Sequence, residues 1–264
     1  MRILWAALVV LALLALSAYF GFLANSRLPK RHWTPESMEV VQLANTLLVT
    51  FIAIVLGLLT TSVKSGFDEA YKTRGDYAGT LAQLYRCLRD YGPETGPIRE
   101  QLRSYVAAVI ASTWPDEPPP TGVSYPDTSH MPLTGESSVL AELINQVGVE
   151  TLTLQPTDPR HHGLMAACVQ RYRDVTVARE TVIEGVRPSI STPLYWVLVF
   201  WLMILFASFG LRAAPSPMIL AIIGLCALSV TSAVVVILDL NDPYGGLFGI
   251  PSESMRNALA DMMR

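Results

Sequence analysis

Four blocks of the chain are almost free of charge and dense in Leu, Ile, Val and Ala: residues 3–24, 40–59, 194–211 and 217–238. A helix needs about 20 predominantly apolar residues to cross the hydrocarbon core of a bilayer, so each block reads as a transmembrane helix. The third is rich in aromatics, with Tyr195, Trp196, Phe200, Trp201, Phe206 and Phe209, and the fourth is bounded by Arg212 and Asp239. The first block, with Ala15, Ser17 and Ala18 near its end, could also read as a cleaved signal. Its apolar run continues through Tyr19, Phe20, Phe22 and Leu23, longer than the 7 to 15 residues of a signal core, so it is read as a retained span.

Between spans two and three the pattern changes to amphipathic helix. Phe67, Tyr71, Ala78, Leu81, Leu84, Tyr85 and Leu88 recur at steps of three and four. No breaker separates them from span two, so one long helix is predicted to run out of the membrane. Gly92-Pro93 ends it, as a glycine past the last turn with a following proline does. A second helix starts near Pro97 and closes at Trp114-Pro115, and residues 115–135, with Pro118, Pro119, Pro120, Pro126 and Pro132, read as an extended loop. A third runs over 137–147, with the stretch to Leu154 left open, and a fourth follows Pro159 through Leu164, Cys168, Tyr172, Val175, Val182 and Val186. The tail, 251–264, predicts a short amphipathic helix with Met255, Ala258, Leu259, Met262 and Met263 on one side.

The predicted class is therefore an all-α membrane protein: four transmembrane helices with a helical bundle between spans two and three. The expected division is residues 1–62 for spans one and two, 63–190 for the bundle, 191–239 for spans three and four, and 240–264 for a post-membrane turn and tail helix.

Composition supports this class. Hydrophobic residues make up 51% of the chain and charged residues 16%. Lys and Arg are distributed unevenly about the spans. Arg2, Lys64, Lys72, Arg74, Arg171, Arg173, Arg179, Arg187, Arg256 and Arg264 lie on one side, against Arg27, Lys30, Arg31 and Arg212 on the other. Basic residues favour the cytoplasmic side, which places both termini and the bundle in the cytoplasm. The net charge of −3 gives no basic surface for nucleic acid. Cys87, Cys168 and Cys226 have no paired spacing, and a scattered odd set in a cytoplasmic region reads as reduced thiols.

Span two carries the most informative pattern. Gln42, Thr46, Thr50, Ala53, Gly57, Thr61 and Lys64 step close to the helical repeat of 3.6, so small and polar residues share one face, with Asn45 nearby. Polar side chains at membrane depth turn toward water or toward other helices. One reading is a pore-lining face. The plainer one, favoured by the residues alone, is a packing face, since small residues let helices approach closely.

His161-His162 with Cys168 downstream lacks the ligand count of a zinc site. No catalytic or cofactor motif is present, so neither an enzyme nor a bound cofactor is predicted. Behind span four, Asp239, Asn241, Asp242, Pro243, Tyr244 and Gly245 form an acidic turn. Its three carboxylate and amide side chains, Asp239, Asn241 and Asp242, fall short of the 6 to 8 ligands calcium takes, so no metal site is assigned.

Three stretches, LYRCLRDYGPETGPIREQLRSYVAAVIASTWP, VFWLMILFASFGLRAAPSP and VVVILDLNDPYGGLFGIPSESMRNAL, together resemble the bestrophin-like domain proteins. These are bacterial four-span membrane proteins distantly similar to the bestrophin anion channels. The resemblance covers nearly the whole chain and rests on Tyr91-Gly92-Pro93-Glu94, Phe206-Ala207-Ser208-Phe209-Gly210 and Asp242-Pro243-Tyr244-Gly245. It implies an inner-membrane protein with cytoplasmic termini, a homo-oligomer (a pentamer in bestrophins) in the lipid bilayer, and ions as the transported species. It also implies a pore lined by the second span. A non-conducting scaffold or sensor that recruits partners through its bundle is the alternative.

Overall fold

The computed structural model describes residues 2–27, 35–131, 137–185, 192–213, 216–244 and 248–264. Among them every regular element is helical: α1 (Arg2–Arg27), α2 (Pro35–Tyr91), α3 (Gly96–Thr113), α4 (Ser138–Leu152), α5 (Pro159–Glu184), α6 (Thr192–Arg212), α7 (Pro217–Leu240) and α8 (Glu253–Met263). α1, α2, α6 and α7 are each long and apolar enough to cross a membrane. The chain divides into two compact units, Met1–Gly66 with Pro188–Phe248, and Phe67–Arg187 with Gly249–Arg264. The continuous helix expected beyond span two is present as the 57 residues of α2.

In the first unit a core is built from Val10 and Leu14 of α1, Ile52 and Leu59 of α2, Leu198, Leu202, Leu205 and Phe206 of α6, and Ala227 and Val234 of α7. Lipid tails are as apolar as these side chains, so the hydrophobic effect cannot drive the helices together; close packing and polar contacts must. The α1–α6 pair shows how. A Cβ added to Gly21 would lie 1.9 Å from the Ala207 carbonyl oxygen, and one added to Gly210 would lie 1.9 Å from that of Ala18. The two glycines sit against each other's helix reciprocally, and Ser17 Oγ donates to the Met203 carbonyl at 2.5 Å in the same seam. α1 thus packs backbone to backbone against α6.

The second unit is organised around α3, which is buried along most of its length: Ile98, Leu102, Tyr105, Val106, Ala107, Ala108, Val109 and Ile110 all leave solvent. No charge interrupts residues 104–113, and a helix apolar on nearly all sides belongs in the middle of a bundle. The α2 face that the periodicity indicated is turned inward from Ala78 through Leu81, Leu84 and Tyr85 to Leu88, and departs from the expectation only nearer the membrane. Tyr71 is exposed, whereas Arg74 is only 5% exposed, with its guanidinium 5.1 Å from the Trp114 ring centre. A cation stacked on an indole is tolerated where a bare charge would not be. Below it the Tyr77 and Tyr105 hydroxyls hydrogen-bond each other. Burial, the dominant cause, pushes both phenols up, Tyr77 furthest, so both stay neutral.

The turn after α2 follows its sequence. Gly92 has φ of 151°, a region costly for any residue with a Cβ, and Thr95 Oγ1 donates to the Leu88 and Gly92 carbonyls at 2.5 and 2.8 Å. α4 runs on to Leu152, and Asp158 caps α5 by accepting the His161 N–H at 2.9 Å. α8 buries Met255, Ala258, Leu259 and Met262, but Met263 is exposed.

The cysteine reading needs correction. Cys87 of α2 and Cys168 of α5 are joined as a disulfide with Cα atoms 5.5 Å apart. Cysteines 81 residues apart show no spacing signal along a chain; only helix packing brings them together. Cys226 remains a free thiol, exposed on α7.

Candidate functional site

Gln42, Thr46, Thr50, Ala53, Gly57, Thr61 and Lys64 are all exposed on α2. Nothing lies within 4 Å of the place a Gly57 Cβ would take. The unit's other helices pack on the far side of span two, through Ile52 and Leu59. The small and polar stripe is therefore left uncovered by the chain's own spans.

The hydroxyls on this stripe are satisfied locally. Thr46 donates to the Gln42 carbonyl at 3.0 Å, Thr50 to Thr46 at 2.9 Å and Thr61 to Gly57 at 2.9 Å. Each Thr thus spends its proton within the helix and keeps oxygen lone pairs outward, a surface that water or an ion can use. Gln42 Oε1 accepts from Arg212 Nη2 at 3.5 Å. One residue further along, Leu43, Leu47, Phe51, Ile54 and Leu58 form a second exposed stripe, turned by about 100° from the first. The sequence does not single out this second stripe, because apolar residues are ordinary throughout a span.

Asn45 stands apart from the stripe. Its Nδ2 donates to Ser208 Oγ at 2.5 Å and the residue is partly buried against α6. The Phe206–Gly210 segment is thereby a packing node. Phe206 is buried, Ala207 receives Gly21, Ser208 receives Asn45, and Gly210 meets Ala18.

The acidic turn after α7 also resolves into contacts. α7 ends at Leu240, ahead of Pro243. A carboxylate near a helix C-terminus opposes the helix dipole, so Asp239 needs a local reason. It is only 2% exposed, and its Oδ2 accepts the Phe248 backbone N–H at 2.9 Å. The carboxylate ties the end of α7 to Phe248, nine positions further on. Asn241 N–H returns to the Ile237 carbonyl at 3.2 Å and Asp242 N–H to Asp239 at 3.1 Å. Gly245 lies outside the described residues, as do Lys30, Arg31 and Arg187. Among the described residues no three His, Cys, Asp or Glu side chains gather as a metal site. His161 is engaged by Asp158, Nδ1 to Oδ2 at 2.6 Å, and has Glu94 Oε1 3.9 Å from Nε2.

The helices and this face define a class: an all-α membrane protein with four spans, one of which keeps a polar stripe that the other described spans do not cover. The chain belongs to the bestrophin-like family, whose domain model matches residues 12–255. Among solved structures it is similar to two point variants of a bacterial bestrophin homolog from Klebsiella pneumoniae. One superposes with a TM-score of 0.65 at 18% identity over 100% of this chain and 97% of that one. The other gives 0.63 at 18% over 97% and 99%. A further structure, titled only as a membrane protein variant, gives 0.62 at 19% over 96% and 97%. At these identities the likeness is one of fold. No curated protein matches the chain.

Proposed function

We propose that the protein is a homo-oligomeric ion channel of the bacterial inner membrane, with its termini and helical bundle in the cytoplasm. The observation that supports it is the uncovered stripe of Gln42, Thr46, Thr50, Ala53, Gly57 and Thr61. A monomer would present this stripe to hydrocarbon, where exposed polar groups find no partners. Copies arranged about a shared axis would give it water instead, and the neighbouring stripe of Leu43, Leu47, Phe51, Ile54 and Leu58 would meet lipid or the adjacent copy. The family supplies the precedent for the arrangement, down to a pentamer as the expected oligomer. The excess of Lys and Arg on one side supplies the orientation. No step calls for catalysis or a cofactor.

Purified oligomer in liposomes is expected to pass ions, and Thr50→Phe to reduce the flux by filling the path. Absence of flux above empty vesicles for chloride, nitrate, sodium and potassium alike would overturn the proposal. A monomeric state in the membrane would do so as well.

A further inference from the structure

The bond between Cys87 and Cys168 is the one covalent tie between α2 and α5 among the described residues, closing 81 residues of chain. Its two ends differ in access. Cys168 is fully buried, Cys87 is partly exposed, and Cys87 Sγ sits 3.8 Å from the Leu164 carbonyl, one turn ahead of Cys168 on α5. Besides this bond, α5 is held by a hydrogen bond between Arg179 and Tyr105 of α3 and by Tyr172 seated against Gly148 of α4. Along its 26 residues α5 buries only Cys168, Val175 and Val182, one of which is the cysteine itself. α3 buries nine of eighteen.

We propose that Cys87 and Cys168 form a reversible redox clasp, opened by a dithiol reductant and closed by an oxidant, that sets how firmly α5 is held to α2. This rests on the cytoplasmic placement of the bundle proposed above. In a reducing compartment a disulfide does not persist as passive reinforcement; those that occur there are transient, catalytic or redox-sensing.

The exposed end fixes the direction of exchange. A thiolate of the reductant attacks Cys87 Sγ, the Sγ–Sγ bond breaks, and Cys168 departs as a thiolate that takes a proton. The reductant's second thiol then attacks the mixed disulfide, releasing Cys87 as a thiol and leaving the reductant as its own disulfide. Two electrons pass to the protein pair. Closure is the reverse, with two electrons and two protons removed by an oxidised dithiol or a diazene oxidant. In the open state α5 keeps its Asp158 cap and the close seat of Tyr172 against Gly148 of α4, so the unit stays folded while α5 loosens.

The test uses the full chain with Cys226→Ser, which removes the exposed third thiol. Cells are acid-quenched and alkylated before and after a diamide pulse, and the two cysteines are read by mass spectrometry. Hydrogen exchange is then followed on the reconstituted protein with and without dithiothreitol. Both cysteines are expected to be alkylated in resting cells and protected after diamide. Reduction is expected to speed exchange across residues 159–184 while leaving 102–110 unchanged, and Cys87→Ser is expected to reproduce the reduced pattern. A pair that stays oxidised in resting cells, that remains alkylated after diamide, or that leaves α5 exchange unaltered on reduction would overturn the proposal. None of these readouts depends on whether the protein conducts.

Discussion

Gly21 and Gly210 place a sharp demand on the membrane unit. Replacing Gly210 with Ala adds one methyl group, directed at the Ala18 carbonyl oxygen from 1.9 Å, where ordinary contact begins at 3.4 Å. The obstacle is backbone, so no side chain can swing aside and α1 must move away from α6. Overpacking a well-filled core costs about 1–3 kcal/mol, and an unyielding backbone puts this case near the top. Alanine recovers up to about 1 kcal/mol of intrinsic helix preference over glycine, leaving a net loss of about 2 kcal/mol. Gly224 of α7 is the internal control: nothing lies within 4 Å of its added Cβ, so Gly224→Ala keeps only the gain of up to about 1 kcal/mol. Reversible unfolding in mixed micelles with rising dodecyl sulfate, followed by tryptophan fluorescence, should move the two midpoints in opposite directions. Gly21→Ala should behave as Gly210→Ala does. Equal shifts for Gly210→Ala and Gly224→Ala would refute the close-packed seam.

Other contacts give smaller, separate expectations. A double-mutant cycle on Asn45→Ala and Ser208→Ala should return a coupling of about 0.6 kcal/mol, the average for hydrogen bonds between membrane helices; a zero coupling would detach Asn45 from α6. Glu117 accepts from Ser252 N–H at 3.2 Å and from Arg256 Nε at 3.1 Å, with the Ser252 hydroxyl as a third donor. Burial alone would raise its carboxyl, but these bonds and the Arg256 charge outweigh it and hold the group below its ordinary range. A carboxyl depressed on folding contributes stability above its unfolded pKa and loses it as pH falls through the folded value. α8 should therefore resist limited proteolysis at neutral pH, loosen as pH falls through and below the ordinary glutamate range, and be weakened by Glu117→Gln at neutral pH. Trp114→Phe should cost about 1–3 kcal/mol, since it orphans the buried Ile250 carbonyl that accepts Trp114 Nε1 at 2.7 Å; chemical denaturation of the reconstituted protein reads it.

Much of this fold is written in local patterns. The four spans show in the apolar blocks, and the length of α2 in the lack of any breaker before Gly92-Pro93. What escaped depends on which residues meet across the fold. Tyr71 and Arg74 are both compatible with a helical repeat, and only Trp114, forty residues later, makes the arginine the one that is buried. Cys87 and Cys168 share no spacing rule. Asn45 differs from Thr46 in role because Ser208 faces it, a fact that resides in α6. The stripe on span two was legible as a face. Its exposure was not, because a packing face and a path-lining face use the same small residues until the neighbouring helices are placed.

The central claim is that this stripe meets water. Single cysteines at Thr46, Thr50 and Gly57, and at Leu47, Ile54 and Leu58, introduced into a chain with Cys87, Cys168 and Cys226 replaced, test it most directly. The reconstituted protein is treated with a membrane-impermeant thiol reagent. The account predicts labelling at the first three positions and little at the second three. Equal reactivity of the two sets, or silence at Thr46, Thr50 and Gly57, would contradict it.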